Sequence, residues 1–157
     1  MRAPTAGALR LLSAGPLSWT QGLEDAIQVV GLLLDRGIAA RLRIVGAGDD
    51  LDALCFARHQ LGLERHVEFR RAERGVNWGE QMEWADALLD VSVRDSPREA
   101  LSQARSSAVP AFTTTVQGGD GADAGMHAVR SRDPEAVAQA IATVTRQAAA
   151  SPATSRS

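Results

Sequence analysis

The residues with the most chemical promise lie at Asp95 to Ala104, "DSPREALSQA", between an apolar run, "ADALLDVSV", and the segment "VPAFTTT". A strand, a turn and a helix in that order make an anion-binding corner, because free backbone N–H groups at a helix start face the ligand. Here the corner carries Pro97 where glycine is usual, and its helix presents Gln103 where a carboxylate would be sought. Ser96-Pro97-Arg98-Glu99 also fits a capping box, with Ser96 at N-cap, Pro97 at N1 and Glu99 at N3. That reading turns the Glu99 carboxylate back onto the helix end, where an anion would sit. The corner is then a sound helix start and a poor phosphate cradle, with Arg94 and Arg98 as the nearby cations that could compensate.

Other reactive residue types are scattered. Gly46 and Gly48 in "IVGAGDD" either let backbone approach a ligand or form a tight strand–helix turn capped by Asp49 or Asp50. His59, His66 and His127 have no ligand spacing, and no metal or cofactor is expected. Cys55, the one cysteine, excludes an internal disulfide and reads as a buried thiol on a helix face. Trp78 and Trp84, six apart around Met82, read as packing residues rather than a sugar platform. There is no phosphate-binding loop of the Walker type and no Ser/His/Asp constellation.

The elements that must position these residues follow from periodicity. A short apolar run gives a strand at 9–15, alternation gives strands at 40–48 and 66–71, and further strands fall at 86–93, 110–115 and 126–131. Helical spacing gives helices at 22–37, 49–62, 77–85, 96–108 and 133–150. In the first, Leu23, Ala26, Ile27, Val30 and Leu34 share a face and Gly37 ends it; in the second, Leu51, Leu54, Cys55 and Leu61 do so before Gly62. Asp133 is the expected N-cap of the last helix, with Pro134 at N1. "QGGDGADAG" (117–125) is a loop by composition. Strands alternating with helices predict an α/β, Rossmann-like three-layer domain over 9–150, its sheet mostly parallel with helices on both faces. Residues 1–8 and 151–157 are expected to be tails, the latter disordered. Ligands of such sheets bind beyond the carboxyl ends of the strands, so 15–22, 46–50, 70–76, 93–99 and 115–123 are the segments to question.

Composition agrees with a single globular domain. The 157 residues are 45% hydrophobic and 23% charged, and all 17 basic residues are arginine. A net charge of −2 supplies no footprint for nucleic acid. No stretch is apolar for the ~18 residues that a membrane span needs. The start, "MRAPTAGALRLL", lacks the apolar core of a signal peptide, so the cytoplasm is the expected compartment.

Four segments in order resemble the glycosyltransferase family 4 type. They are "GPLSWTQG", "RIVGAGDDLDALCFARHQLGLERHVEF", "EQMEWADALLDVSV" and "RDPEAVAQAI", and together they cover about Leu9 to Thr145. The resemblance implies the C-terminal, nucleotide-sugar-binding half of a GT-B fold, without the N-terminal acceptor domain. It implies hexose transfer, with retention, from a nucleotide sugar to an acceptor hydroxyl. The family's two glutamates, eight residues apart, fall at Asp95, near the transferred sugar, and Gln103, near the ribose. Its phosphate-neutralising arginine and lysine fall at Pro16 and Gln21. Two lost charge-assisted contacts would weaken donor binding by about 3–6 kcal/mol. The remaining donor contacts implied are backbone at Gly15, Gly118 and Gly119, with Gly46, Gln21, Arg94 and Arg98 nearby.

Two readings stay open. In one the chain is a weak donor-binding domain, completed by a separate acceptor-domain chain or by self-association, with a sticky surface along the carboxyl-end loops. In the other it is a non-catalytic domain that kept the fold and lost the site. Neither calls for nucleic acid or a membrane span.

Overall fold

The computed structural model describes residues 7–94, 97–114 and 125–150. Within these residues six parallel strands form one sheet: β1 (Leu9–Ala14), β2 (Ala40–Gly46), β3 (Val67–Arg71), β4 (Ala87–Asp90), β5 (Ala111–Thr113) and β6 (Met126–Ala128). Among the described residues five helices connect or follow them: α1 (Leu23–Asp35), α2 (Leu51–Gln60), α3 (Trp78–Trp84), α4 (Arg98–Ser106) and α5 (Pro134–Ala150). A 3-10 turn, Trp19–Gln21, precedes α1. The expected Rossmann-like α/β fold is therefore the observed one.

The central strands are near-continuous apolar runs because both faces of the sheet are covered. On one face, Leu9, Leu11 and Ile44 pack with Ile27 and Val30 of α1, Leu54 of α2 and Ile141 of α5. On the other, Leu12, Val45 and Leu88 pack with Met82 of α3 and with Ala100 and Ala104 of α4. Arg43 of β2 is buried on this second side. Its guanidinium carbon lies 4.0 Å from the Trp84 ring centroid, and its Nε and Nη1 donate to Glu68 at 2.7 Å and Gln81 at 3.1 Å. Trp84, read as a packing residue, thus also partners a buried cation.

Helix ends follow local chemistry. Past α1, Ile38 N donates to Leu33 O and Gly37 N to Leu34 O; past α2, Leu63 and Gly62 repeat the pattern. The N–H of Ala136 donates to Asp133 Oδ1 at 3.1 Å, the cap expected for α5. Four local expectations need correction. Asp50 stands at the N-cap of α2 but makes no side-chain cap bond. Cys55 is half-buried rather than buried. Leu61 is 48% exposed while Leu63 is 5% exposed, so the chain reversal after α2 turns the second leucine inward. Pro97 is the N-cap of α4, and Arg98 is its first helical residue.

Candidate functional site

The strand order is β3-β2-β1-β4-β5-β6, so the connections reverse direction between β1 and β4. That switch point opens a crevice at the carboxyl ends of the two strands, where α/β sheets bind ligands. Gly15 leaves β1 there, its N–H donating to Val45 O at 3.0 Å. A side chain on Gly15 would meet Gln21 Oε1 at 3.3 Å and Pro97 Cβ at 3.8 Å. Gln21, Pro97 and Pro16 line the crevice together with Asp90. Gln21 is only 6% exposed. What remains between these groups is about 10 Å³, room for a single water.

Asp90 was not singled out from sequence. Its Oδ2 accepts from the Thr113 hydroxyl at 2.6 Å and its Oδ1 from the Ser92 N–H at 3.0 Å. These bonds fasten the ends of β4 and β5 and bend the chain out of β4 three residues before the expected strand end at 93. The signal was available: an aspartate that closes the apolar run "ALLD" needs a partner when buried.

The other expected site residues divide. Gly46 packs beneath Gly15, because a Cβ on it would stand 1.9 Å from the Gly15 carbonyl oxygen. The glycine therefore serves the close approach of two backbone turns. Arg94 is exposed, its guanidinium carbon 5.5 Å from the Trp19 ring centroid. Arg98 is exposed in the first turn of α4. Gln103 is half-buried on α4, between the inward-facing Ala100 and Ala104. Asp95, Ser96, Gly118 and Gly119 lie outside the described residues. Glu99 differs from its expected role: its Oε1 accepts from Trp78 Nε1 at 2.6 Å, so the carboxylate ties α4 to α3. Trp19, 62% exposed on the turn between Pro16 and Gln21, is a large apolar side chain at this edge.

His59 Nδ1 lies 2.6 Å from Glu64 Oε2, and this bond holds the Glu64 carboxyl below its usual range. His127 stacks on Phe112 with centroids 4.9 Å apart, and burial lowers its pKa. Among the described residues no three His, Cys, Asp or Glu side chains gather as metal ligands would. The His127 shift has a signed consequence. The folded chain favours neutral imidazole, so the stability it contributes is full above the ordinary histidine pKa of about 6.5. It is lost as pH falls from there through the lowered value. Urea titrations at pH 7.5 and pH 5 should show a larger drop for the native chain than for His127→Phe, which keeps the stack without the titration. Equal drops would rule out His127 as the titrating group.

Comparison with known proteins agrees with this architecture. The sequence profile of the family described as glycosyl transferases group 1 matches residues 8–147. No curated protein sequence matches the chain. Among solved structures, a Staphylococcus aureus TarM mutant, in complex with fondaparinux, alpha-GlcNAc-glycerol and UDP, superposes with a TM-score of 0.74 at 14% identity. The match covers 95% of this chain and 31% of TarM. WaaG, a glycosyltransferase involved in lipopolysaccharide biosynthesis, gives a TM-score of 0.74 at 22% identity over 92% of this chain and 40% of WaaG. The C-terminal domain of a group 1 family protein, LpcC from Francisella tularensis, gives 0.72 at 14% identity, covering 88% of this chain and 75% of that domain. This chain thus spans less than half of the full-length neighbours, TarM and WaaG, and these likenesses carry the fold alone. The profile, matching nearly the whole sequence of a six-stranded parallel domain, carries the family: the chain belongs to the group 1 glycosyl transferases.

Proposed function

We propose that this chain is the nucleotide-sugar-binding domain of a retaining, family 4-type glycosyltransferase, and that it holds its donor weakly. The reaction is transfer of a hexose to an acceptor hydroxyl. The observation that carries this reading is the switch-point crevice, walled by Gly15 and Gln21 on one side and Pro97 on the other. It lies where a donor diphosphate would meet the sheet, and solved neighbours such as TarM and Anabaena HepE are complexes with UDP. In this chemistry the protein mainly positions the donor and stabilises the leaving diphosphate. Asp95 near the sugar, Gln103 at the ribose, and backbone at Gly15, Gly118 and Gly119 near the diphosphate are the residues assigned to that work.

A second reading, a non-catalytic domain with a degenerate site, is favoured by the same crevice. Its described lining holds no cation, and Gln21 and Pro97 leave only about 10 Å³. Calorimetric titration with UDP and GDP separates the two readings, alongside a radiolabelled transfer assay with UDP-glucose and GDP-mannose. The expected result is saturable millimolar binding and no transfer by the chain alone. Two missing cations remove about 3–6 kcal/mol, whereas a millimolar ligand binds with only ~4 kcal/mol in all. No binding at any soluble concentration would favour the second reading. Micromolar binding would show that the loss of those cations has been made good.

A further inference from the structure

We infer that Trp19 and Arg94 form an external stacking platform for a nucleotide, with the base on the indole and the phosphate on the guanidinium. This rests on the donor-binding reading above. The crevice has room for about one water, so a nucleotide that reaches the switch point must lie outside it. Trp19 stands on the turn whose ends, Pro16 and Gln21, wall that crevice. The indole is 62% exposed, whereas a ring of this size is ordinarily well buried.

The turn is held firmly. Ser18 N donates to Pro16 O at 3.0 Å, Gln21 N to Ser18 O at 3.0 Å, and Gly22 N to Trp19 O at 3.2 Å. The Ser18 and Thr20 hydroxyls are 2.7 Å apart. The Thr20 carbonyl accepts from both Val93 N and Arg94 N, at 2.8 and 3.1 Å, which ties the turn to the chain leaving β4. Arg94 is thereby carried to the Trp19 ring, 5.5 Å from its centroid. A positioned indole accepts any base, because every base has a π-face. A guanidinium over the same ring supplies a planar fork of donors that matches phosphate geometry. An aromatic surface paired with a fixed cation fits a nucleotide better than a neutral sugar, which calls for carboxylates and amides.

The test is an NMR titration of the whole chain with UDP, uridine and inorganic pyrophosphate, following the three indole N–H signals. The signal lost in Trp19→Leu identifies Trp19, and those of Trp78 and Trp84 report that each variant is folded. UDP and uridine should both shift the Trp19 signal, and pyrophosphate, which lacks a base to stack, should shift it far less. Trp19→Leu should weaken UDP binding by about five- to hundredfold, the range of one base stacked on an aromatic ring. Arg94→Ala should weaken UDP binding and leave uridine within about twofold, since only the phosphate contact is a charge-assisted bond. If UDP binds the unaltered chain and Trp19→Leu binds it equally well, the platform is wrong and the donor reading stands. If UDP does not bind the unaltered chain at all, the donor reading fails and the platform falls with it.

Discussion

The double variant Pro16→Arg with Gln21→Lys is expected to bind UDP about a hundred- to ten-thousand-fold more tightly than the unaltered chain, from two charge-assisted phosphate contacts of ~1.5–3 kcal/mol each. Both positions lie at the crevice. Pro16 is exposed at the crevice and Gln21 is 6% exposed within it, beside Gly15. A lysine at 21 would carry an ammonium into a nearly closed space beside the backbone. Without an anion that charge is poorly solvated, so the free variant should melt below the unaltered chain. UDP should restore the loss, and the rise in Tm with ligand should be larger than for the unaltered chain. Gln103→Glu should gain far less, about fivefold, because it turns a neutral hydrogen bond to a hydroxyl into a charged one. Calorimetry for affinity and thermal unfolding with and without UDP measure both halves. A double variant that binds no better than Gln103→Glu would show that the diphosphate does not sit at this crevice.

Gly46→Ala is expected to cost roughly 4 kcal/mol or more, which places it among the rare large single-residue effects and near the whole stability of a small domain. Its Cβ would stand 1.9 Å from the Gly15 carbonyl oxygen, and the obstacle is backbone in the neighbouring strand exit, which cannot rotate away. Gly22→Ala should be comparable, since its φ is +63° and its Cβ would lie 2.2 Å from Val91 O. Gly37→Ala provides the control. It shares a left-handed φ of +79° but meets nothing within 4 Å, so it should lose only about 1–2 kcal/mol of backbone strain. Urea denaturation of the three variants tests the order. If Gly46→Ala proves as mild as Gly37→Ala, the two turns are not packed as described.

These steric facts change the meaning of two glycine positions. In sequence, Gly46 was open to two readings, ligand approach or tight turn. The contact with Gly15 supports the turn: the glycine lets the exits of β1 and β2 touch. Gly15 itself is the one that faces Gln21 and Pro97.

What the sequence determined by itself was local and periodic. Apolar runs marked β1 and β4, which are covered on both faces of the sheet, and alternation marked β2 and the edge strand β3. Helical spacing placed Ala26, Ile27 and Val30 toward the core, and Gly37, Gly62 and Asp133 marked helix ends through bonds that span only a few residues. The alternation of strands and helices was enough to point to the carboxyl ends of the strands, where the crevice lies. The tertiary structure alone decided which side chains meet there. Gln21 and Pro97 are 76 positions apart in the chain and close one crevice only because β1 and β4 are neighbours in the sheet. Asp90 is spent on Thr113 because β5 lies beside β4, and Glu99 is drawn from its own helix end to Trp78 because α3 and α4 share a face of the sheet. Helix ends and strand faces are set by interactions within one turn or one pleat, which a sequence displays directly. A binding site is set by strand order, and strand order is a property of contacts between residues that the sequence keeps far apart.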